Sequence, residues 1–231
     1  TVEKTKKSAN KYGLAFVVLA VVVSAISFYN TQSIINAISG LAIAGIGAFL
    51  GYFYTAKPIR LSSRYGLGEL SIFLSFGPLL TLGTGFAIAN ETIQLFSNEF
   101  YNLILLGIPI GLLTTNILFI NQYPDYASDK KVGKNHLVVL LGKKSSRWIY
   151  ALNLSIAVGS LYYIAENILN QTQGSLFLYL LIPVSMIYSY YLITGLFKHY
   201  NSRSLIKYNI HTIYFHMLFS FIYMIILANF Q

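Results

Sequence analysis

Three polar residues at regular spacing stand out in this sequence, because Asn121, Asp125 and Asp129 lie four residues apart. In a helix, this spacing stacks the three side chains on one face. Two carboxylates one turn apart repel each other, so we expect a cation near them. Oxygen ligands of this type suit Mg²⁺, which typically binds one or two carboxylates together with substrate phosphate oxygens. The alternative is a solvated helix end in which Asp129 pairs with a neighbouring lysine, and the spacing alone leaves both interpretations open.

The residues around this motif favour the functional interpretation. Pro124 lies between the first two members of the motif and would loosen the helix where the ligands must be aimed. Lys130, Lys131 and Lys134 follow directly and add positive charge for an anionic ligand. The segment therefore predicts a site for Mg²⁺ and an anion.

The composition shows which elements must position this motif. Hydrophobic residues make up 55% of the 231-residue chain, and charged residues only 10%. Soluble domains carry about 25% charged residues, so this composition indicates a membrane protein. The apolar runs approach the ~20 residues that a helix needs to cross a bilayer, where the backbone must satisfy its own hydrogen bonds. We predict an all-α polytopic transmembrane bundle with seven spans, at roughly 12–29, 34–54, 70–90, 102–122, 147–165, 175–197 and 208–229.

The distribution of charge predicts the topology. All 16 lysines and arginines lie before the first span or at alternate connections, within residues 4–11, 57–64, 130–147 and 198–207. By the positive-inside rule, the N-terminus and the aspartate motif are cytoplasmic and the C-terminus is outside. The net charge of +9 then reflects orientation and attraction to anionic membrane lipid, and we expect no nucleic-acid partner. The chain has no cysteine, so disulfides and cysteine-ligated metals are excluded.

Small residues predict where helices pack closely. Gly47 with Gly51, and Gly107 with Gly111, have the spacing that lets helices approach each other in a membrane. We predict helix contacts at both pairs, and a kink at Pro78 inside the third span.

The aspartate motif also carries a family resemblance. Residues 121–144 resemble the second aspartate-rich motif, N-x-x-x-D-x-x-x-D, of the UbiA superfamily of intramembrane prenyltransferases. Residues 54–61 match the basic loop of that family, and residues 65–69 and 76–78 resemble the branch that prenylates 1,4-dihydroxy-2-naphthoate in menaquinone synthesis. The resemblance covers essentially the whole chain. It implies that a polyprenyl diphosphate donates its isoprenoid group to an aromatic acceptor.

The chain departs from the family pattern in one respect. The family fold has nine transmembrane helices and a first motif, N-D-x-x-D, between helices two and three. This sequence offers seven spans and no such motif, since Asp125 and Asp129 are its only aspartates. We therefore expect residues 1–231 to form a single transmembrane prenyltransferase domain that is incomplete at its N-terminus and inactive alone.

The resemblance also implies roles for individual residues. Asn121, Asp125 and Asp129 would hold Mg²⁺ on the diphosphate, with the two aspartates as catalytic residues. The diphosphate oxygens would be bound by Tyr54, Lys57, Arg60, Lys130 and Lys134. For Lys57 and Arg60, the alternative is that they only orient the chain in the membrane. The isoprenoid tail would lie in an apolar groove between helices that is reachable from membrane lipid.

Two further ionisable residues are candidates for acceptor binding or for a base. Glu69 begins the third span on the cytoplasmic face, and its alternative role is an ion pair with Arg64 or Lys57. His211 lies in the first turns of the last span, and its alternative role is a hydrogen-bonded packing residue.

Three other functions compete with naphthoate prenylation. A transporter would need charges near the bilayer midplane and repeated halves, and this sequence has neither. A non-catalytic lipid-binding subunit would explain the missing first motif. A prenyltransferase could instead use 4-hydroxybenzoate, homogentisate or a glycerol phosphate as its acceptor.

Overall fold

The computed structural model describes residues 2–170 and 172–229, except for the side chains of residues 2–11, 14, 30 and 31. The lysines that precede the first span, Lys4, Lys6, Lys7 and Lys11, are therefore outside the described side chains. The described residues form eight α-helices and one short 3₁₀ turn, at Leu61–Ser63. The helices are α1 (Val2–Thr31), α2 (Ile34–Thr55), α3 (Leu67–Phe76), α4 (Pro78–Ile88), α5 (Asn98–Lys131), α6 (Leu137–Asn167), α7 (Gln173–His199) and α8 (Leu205–Asn229).

This arrangement confirms the polytopic helical bundle. Six helical segments are long and apolar enough to cross a membrane, and α1 contains a shorter apolar stretch at Ala15–Tyr29. The spans predicted at 102–122 and 147–165 are parts of longer helices, because α5 continues to Lys131 and α6 already begins at Leu137. Hydrophobicity marks only the lipid-embedded part of a helix, whereas these helices extend beyond it with polar turns.

The third predicted span is two helices rather than one kinked helix. Helix α3 ends at Phe76 and α4 begins at Pro78, whose missing N–H suits the first position of a helix. Gly77 between them lies against α5, where a Cβ atom would meet the carbonyl oxygen of Gly107 at 2.8 Å and the Cα of Gly111 at 2.9 Å. The glycine pair of α5 therefore makes the close contact that its spacing predicted.

The other glycine pair makes no such contact, and that prediction is wrong. A Cβ at Gly47 or Gly51 would meet no described atom within 4 Å. Helix α2 is the most peripheral of the spanning helices, with only 11% of its apolar window buried. These two glycines therefore lie on a face that the described helices leave open.

We expect Gly107→Ala to destabilise the protein by about 1–3 kcal/mol, the usual range for overpacking. The new methyl group would lie 2.5 Å from the carbonyl carbon of Gly77, and a backbone atom cannot move aside as a side chain can. Thermal unfolding in detergent would measure the effect. Gly47→Ala is the matched control, since its methyl group enters open space. Equal melting temperatures for the two variants would contradict the packing argument.

The main core lies among α5, α6, α7 and α8, and it contains paired polar groups as well as apolar side chains. Asn116 donates from Nδ2 to the carbonyl of Tyr150 at 3.0 Å, and its Oδ1 accepts from Asn153 at 2.9 Å. The Tyr123 hydroxyl bonds that of Ser146 at 2.8 Å. Because buried polar groups must be paired inside a membrane, these bonds fix α5 against α6. They lie within two turns of the aspartate motif and hold that end of α5 in place.

Candidate functional site

Two connections of the bundle are joined by backbone hydrogen bonds. The N–H of Tyr65 donates to the carbonyl of Asn135 at 2.7 Å, and the N–H of Asn135 donates to the carbonyl of Ser63 at 3.1 Å. Residues 64 and 135 therefore form a short parallel bridge. The bridge holds the connection between α2 and α3 against the connection between α5 and α6.

A cavity of about 300 Å³ opens beside this bridge. Its volume is at the lower end of the range for small-molecule sites. Three segments form its walls: the end of α2 with the following connection, the C-terminal part of α5, and the connection that leads to α6. The lining residues are Tyr54, Thr55, Arg60, Ser62, Ser63, Leu118, Asn121, Gln122, Asp125, Asp129, Lys134 and His136.

Asp129 is the buried acidic member of the cavity wall. Its Oδ1 pairs with Nζ of Lys134 at 2.9 Å, and its Oδ2 contacts Nε2 of His136 at 3.1 Å. The other ring nitrogen of His136, Nδ1, accepts the N–H of Val139 at 3.3 Å and so caps the N-terminus of α6. Because Nδ1 is used as an acceptor, Nε2 carries the hydrogen and donates it to Asp129. His136 thereby fixes the orientation of the Asp129 carboxylate relative to the N-terminus of α6.

Asp125 is the exposed acidic member, and it makes no ion pair with any described residue. One turn before it, Asn121 Oδ1 accepts a hydrogen bond from Asn209 of α8 at 3.0 Å. Carboxylate and amide oxygens along one face of α5 fit Mg²⁺, which prefers hard oxygen ligands. Among the described side chains, no three His, Cys, Asp or Glu residues lie close enough to form a metal site by themselves. A metal here would therefore need oxygens from a bound substrate.

Glu69 lies behind the cavity wall and is only 4% exposed. Its Oε1 accepts the N–H of Leu137 at 3.0 Å and Nε2 of Gln122 at 2.9 Å. Within the described part of the chain, no ion pair links Glu69 to Arg64 or Lys57, and Arg64 instead donates to the carbonyl of Pro58 at 2.7 Å. The expected alternative role of Glu69, an ion pair with one of these cations, is therefore wrong. The carboxylate connects α3 to α5 and α6.

The structure brings most of the predicted site residues to this one cavity and leaves four outside its lining. Tyr54, Arg60, Asn121, Asp125, Asp129 and Lys134 line the cavity. Lys57 and Lys130 are exposed and do not line it, and Lys130 instead lies over the ring of Tyr126, with its Nζ 5.8 Å from the ring centroid. Glu69 does not line the cavity and contacts one lining residue, Gln122.

His211 lies away from the cavity, between α7 and α8. Its Nδ1 is 2.8 Å from the hydroxyl of Tyr188, and its ring contacts that of Tyr191 with centroids 5.2 Å apart. This placement matches the packing role that the sequence left as the alternative.

Sequence reasoning gave no role to several of the lining residues, among them Gln122 and His136. A signal was present for Gln122, since it lies three and seven residues before Asp125 and Asp129 and thus on the same helical face. His136 follows the helix end by five residues, and its contact with Asp129 depends on how the chain turns between α5 and α6. Spacing could not have revealed that contact.

The fold and the cavity define a polytopic membrane protein in which two acidic and two basic side chains, Asp125, Asp129, Arg60 and Lys134, meet at one end of a helical bundle. The chain belongs to the UbiA prenyltransferase family, whose sequence model matches residues 4–225.

Relatives with known activities extend this result. The chain is 32% identical over 176 residues to the 1,4-dihydroxy-2-naphthoate octaprenyltransferase of Haemophilus influenzae, covering 74% of this chain and 53% of that protein. It is 34% identical over 124 residues to the 2-carboxy-1,4-naphthoquinone phytyltransferase of Synechocystis, covering 54% and 36% respectively. It is also 34% identical over 125 residues to the 1,4-dihydroxy-2-naphthoate octaprenyltransferase of Escherichia coli, covering 54% and 37%. The chain thus spans about half or less of the length of these relatives, and no solved structure matches it.

Proposed function

We propose that the protein transfers a polyprenyl group from its diphosphate to an aromatic acceptor of the naphthoate type. The observation that carries this proposal is the cavity itself, which is lined by Asp125 and Asp129 together with Arg60 and Lys134. Acidic side chains alone would repel a diphosphate, and basic side chains alone would not hold a metal. Both kinds of side chain around one cavity suit a metal–diphosphate complex.

The chain supplies binding groups for the diphosphate from two segments. Arg60 can bind phosphate oxygens bidentately through its planar guanidinium group. Lys134 offers a compact charge from the opposite connection, where it already contacts Asp129. The Tyr54 hydroxyl is a further donor in the cavity wall. Lys57 and Lys130 lie outside the cavity lining and contribute positive potential that attracts the anionic substrate.

Asn121, Asp125 and Asp129 would hold Mg²⁺. When bound, Mg²⁺ supplies a Lewis acid that stabilises the negative charge developing on the leaving diphosphate. In the reaction, the allylic C–O bond breaks and its electron pair leaves with the diphosphate. A carbon of the aromatic ring forms the new C–C bond, and a proton, or carbon dioxide from a carboxylate, leaves that carbon to restore aromaticity. His136 keeps the carboxylate of Asp129 directed into the cavity during these reaction steps.

The acceptor and the orientation form the finer part of the proposal. The relatives named above include two octaprenyltransferases of 1,4-dihydroxy-2-naphthoate, and we take that compound, in menaquinone biosynthesis, as the acceptor. The isoprenoid tail would extend from the cavity into an apolar groove between helices. The excess of lysine and arginine in the connections around the cavity supports a cytoplasmic position for it, with the C-terminus outside.

The full-length protein in detergent, given Mg²⁺, a long-chain prenyl diphosphate and a panel of aromatic acids, is expected to form a prenylated product. Removal of the metal with a chelator should abolish product formation, and added Mg²⁺ should restore it. Dihydroxynaphthoate should be the best acceptor in the panel. A folded protein that forms no product with any acceptor would overturn the proposal, and activity that survives chelation would overturn its metal-dependent part.

A further inference from the structure

Gln122 has an acceptor atom that the described structure leaves unsatisfied. The residue is only 8% exposed and lines the cavity. Its Nε2 donates to Glu69 at 2.9 Å, whereas its Oε1 is buried and has no hydrogen-bond partner among the described residues. Leaving a buried acceptor unpaired is unfavourable, so an atom of this kind in a cavity wall needs an explanation.

The orientation of this amide is fixed by its neighbours. Glu69 presents carboxylate oxygens, which accept hydrogen bonds, so the NH₂ end of the Gln122 amide must face it. Glu69 cannot turn freely, since the same Oε1 also accepts the N–H of Leu137 at 3.0 Å. The oxygen of Gln122 is therefore the end that remains unpaired, and a rotation of the amide would bring two acceptors together.

A ligand that satisfies this oxygen must carry a hydrogen-bond donor. Diphosphate oxygens bound to a metal are acceptors, so the diphosphate is the wrong partner. The other substrate of the proposed reaction is an aromatic ring that carries hydroxyl groups, and phenolic hydroxyls are good donors. Ser63 lines the same cavity from the connection after α2, and its Oγ is likewise buried without a partner in the described part of the chain. The cavity therefore offers a second polar atom for the same ring.

We propose that Gln122 Oε1 is the binding site for a ring hydroxyl of the aromatic acceptor. This inference rests on the proposed function and identifies the residue that recognises the acceptor. Gln122 is adjacent to Asn121 and one turn from Asp125, so the ring is held beside the diphosphate site. A hydrogen bond from the ring hydroxyl to this oxygen raises the electron density of the neighbouring ring carbons, which form the bond to the isoprenoid.

The hydrogen bond to Glu69 strengthens this role. Hydrogen bonds in series polarise one another, so an amide that donates to a carboxylate accepts more strongly at its oxygen. The site then discriminates against a ring whose hydroxyl is replaced by a methoxy group, because the amide oxygen stays unpaired. Sites built around a buried acceptor reject analogues that lack the donor in this way.

The test compares 4-hydroxy-2-naphthoate with 4-methoxy-2-naphthoate as ligands of the full-length protein, with equilibrium binding as the readout. We expect the wild-type protein to bind the hydroxy compound about 5- to 100-fold more tightly. Gln122→Met, of similar length, should remove this preference while the affinity for Mg²⁺ with a prenyl diphosphate changes little. Gln94→Met, at an exposed position near the opposite end of the bundle, should retain the preference.

Three outcomes would overturn the inference: no hydroxyl preference in the wild-type protein, a preference that survives in Gln122→Met, or a selective loss of Mg²⁺ affinity, which would make Gln122 a metal ligand. If Gln122→Met does not fold, Gln122→Asn tests the same point, since the shorter amide withdraws the oxygen from the ring. The binding assay is separate from turnover. Product formation without hydroxyl-selective binding would overturn the inference alone, whereas a protein that forms no product with any acceptor would overturn the proposed function.

Discussion

Replacing Asp125 with asparagine is expected to reduce prenyl transfer by at least about 100-fold. The side chain keeps its size but loses the negative charge that would hold Mg²⁺. Lewis-acid stabilisation of a leaving group is worth several kcal/mol, which corresponds to two or more powers of ten in rate. Steady-state kinetics with saturating prenyl diphosphate would measure the loss in kcat. Because Asp125 is exposed and makes no described ion pair, the melting temperature should change little.

Glu99→Gln provides the matched control for this experiment. Glu99 is an exposed carboxylate on the same helix, in the first turn of α5 rather than in its last turns. Its replacement removes one negative charge from α5 without touching the cavity, and activity should remain near the wild-type level. Unchanged activity in Asp125→Asn, with Mg²⁺ still required, would rule out Asp125 as a metal ligand.

The second large effect concerns His136, which is a positioning residue for Asp129. We expect His136→Ser to weaken the affinity for Mg²⁺ by about 10- to 100-fold, the usual consequence of losing a group that orients a metal ligand. Serine is itself a favourable N-cap, so α6 should keep its start and most of its stability. Titration with Mg²⁺ in the presence of a non-reactive prenyl thiolodiphosphate, followed by thermal stabilisation, would measure the affinity without turnover.

Two further variants separate orientation of the ligand from helix capping. His136→Ala removes both the contact with Asp129 and the helix cap. Its Mg²⁺ affinity should therefore fall as much as that of His136→Ser, and its free energy of unfolding should fall by a further ~0.5–2 kcal/mol. Ser97→Ala removes the side-chain cap of α5, in which the hydroxyl oxygen of Ser97 accepts the N–H of Phe100 at 3.3 Å. Ser97 lies at the opposite end of α5 from Asp129. This substitution should lower stability and leave the metal affinity intact. If His136→Ser binds Mg²⁺ as the wild type does, then His136 has only a capping role.

Much of the fold was predictable because the membrane imposes it. A backbone in lipid must form helices, and a long apolar run therefore predicts both the element and its lipid-embedded part. The family could also be predicted, since the aspartate motif and the loop around Lys57 carry it, and the match to residues 4–225 confirms it. The spacing of Asn121, Asp125 and Asp129 indicated one helical face, and all three line the cavity.

The rest depends on contacts between distant segments. Hydropathy cannot distinguish one kinked span from two helices, α3 and α4, that are separated at Gly77. The separation accompanies a close contact between Gly77 and Gly107 of α5, which lies 30 residues further along the chain. Glu69 could not be paired with Gln122 from sequence, since 53 residues separate them. His211 had the polar character of a site residue, but its partner Tyr188 lies on a helix whose position the sequence does not give.

The backbone bridge between Arg64 and Asn135 affects which kinds of mutation the two connections can accept during evolution. Its hydrogen bonds join the N–H of Tyr65 and both backbone groups of Asn135 to main-chain atoms, so they do not depend on the identity of any side chain. Mutations at positions that do not line the cavity can therefore accumulate along both segments while the walls of the cavity keep their separation. Insertions and deletions are a different matter, because a change of one residue on either side would shift the pairing. Natural selection on this part of the molecule should thus tolerate substitution outside the cavity lining and resist changes in length.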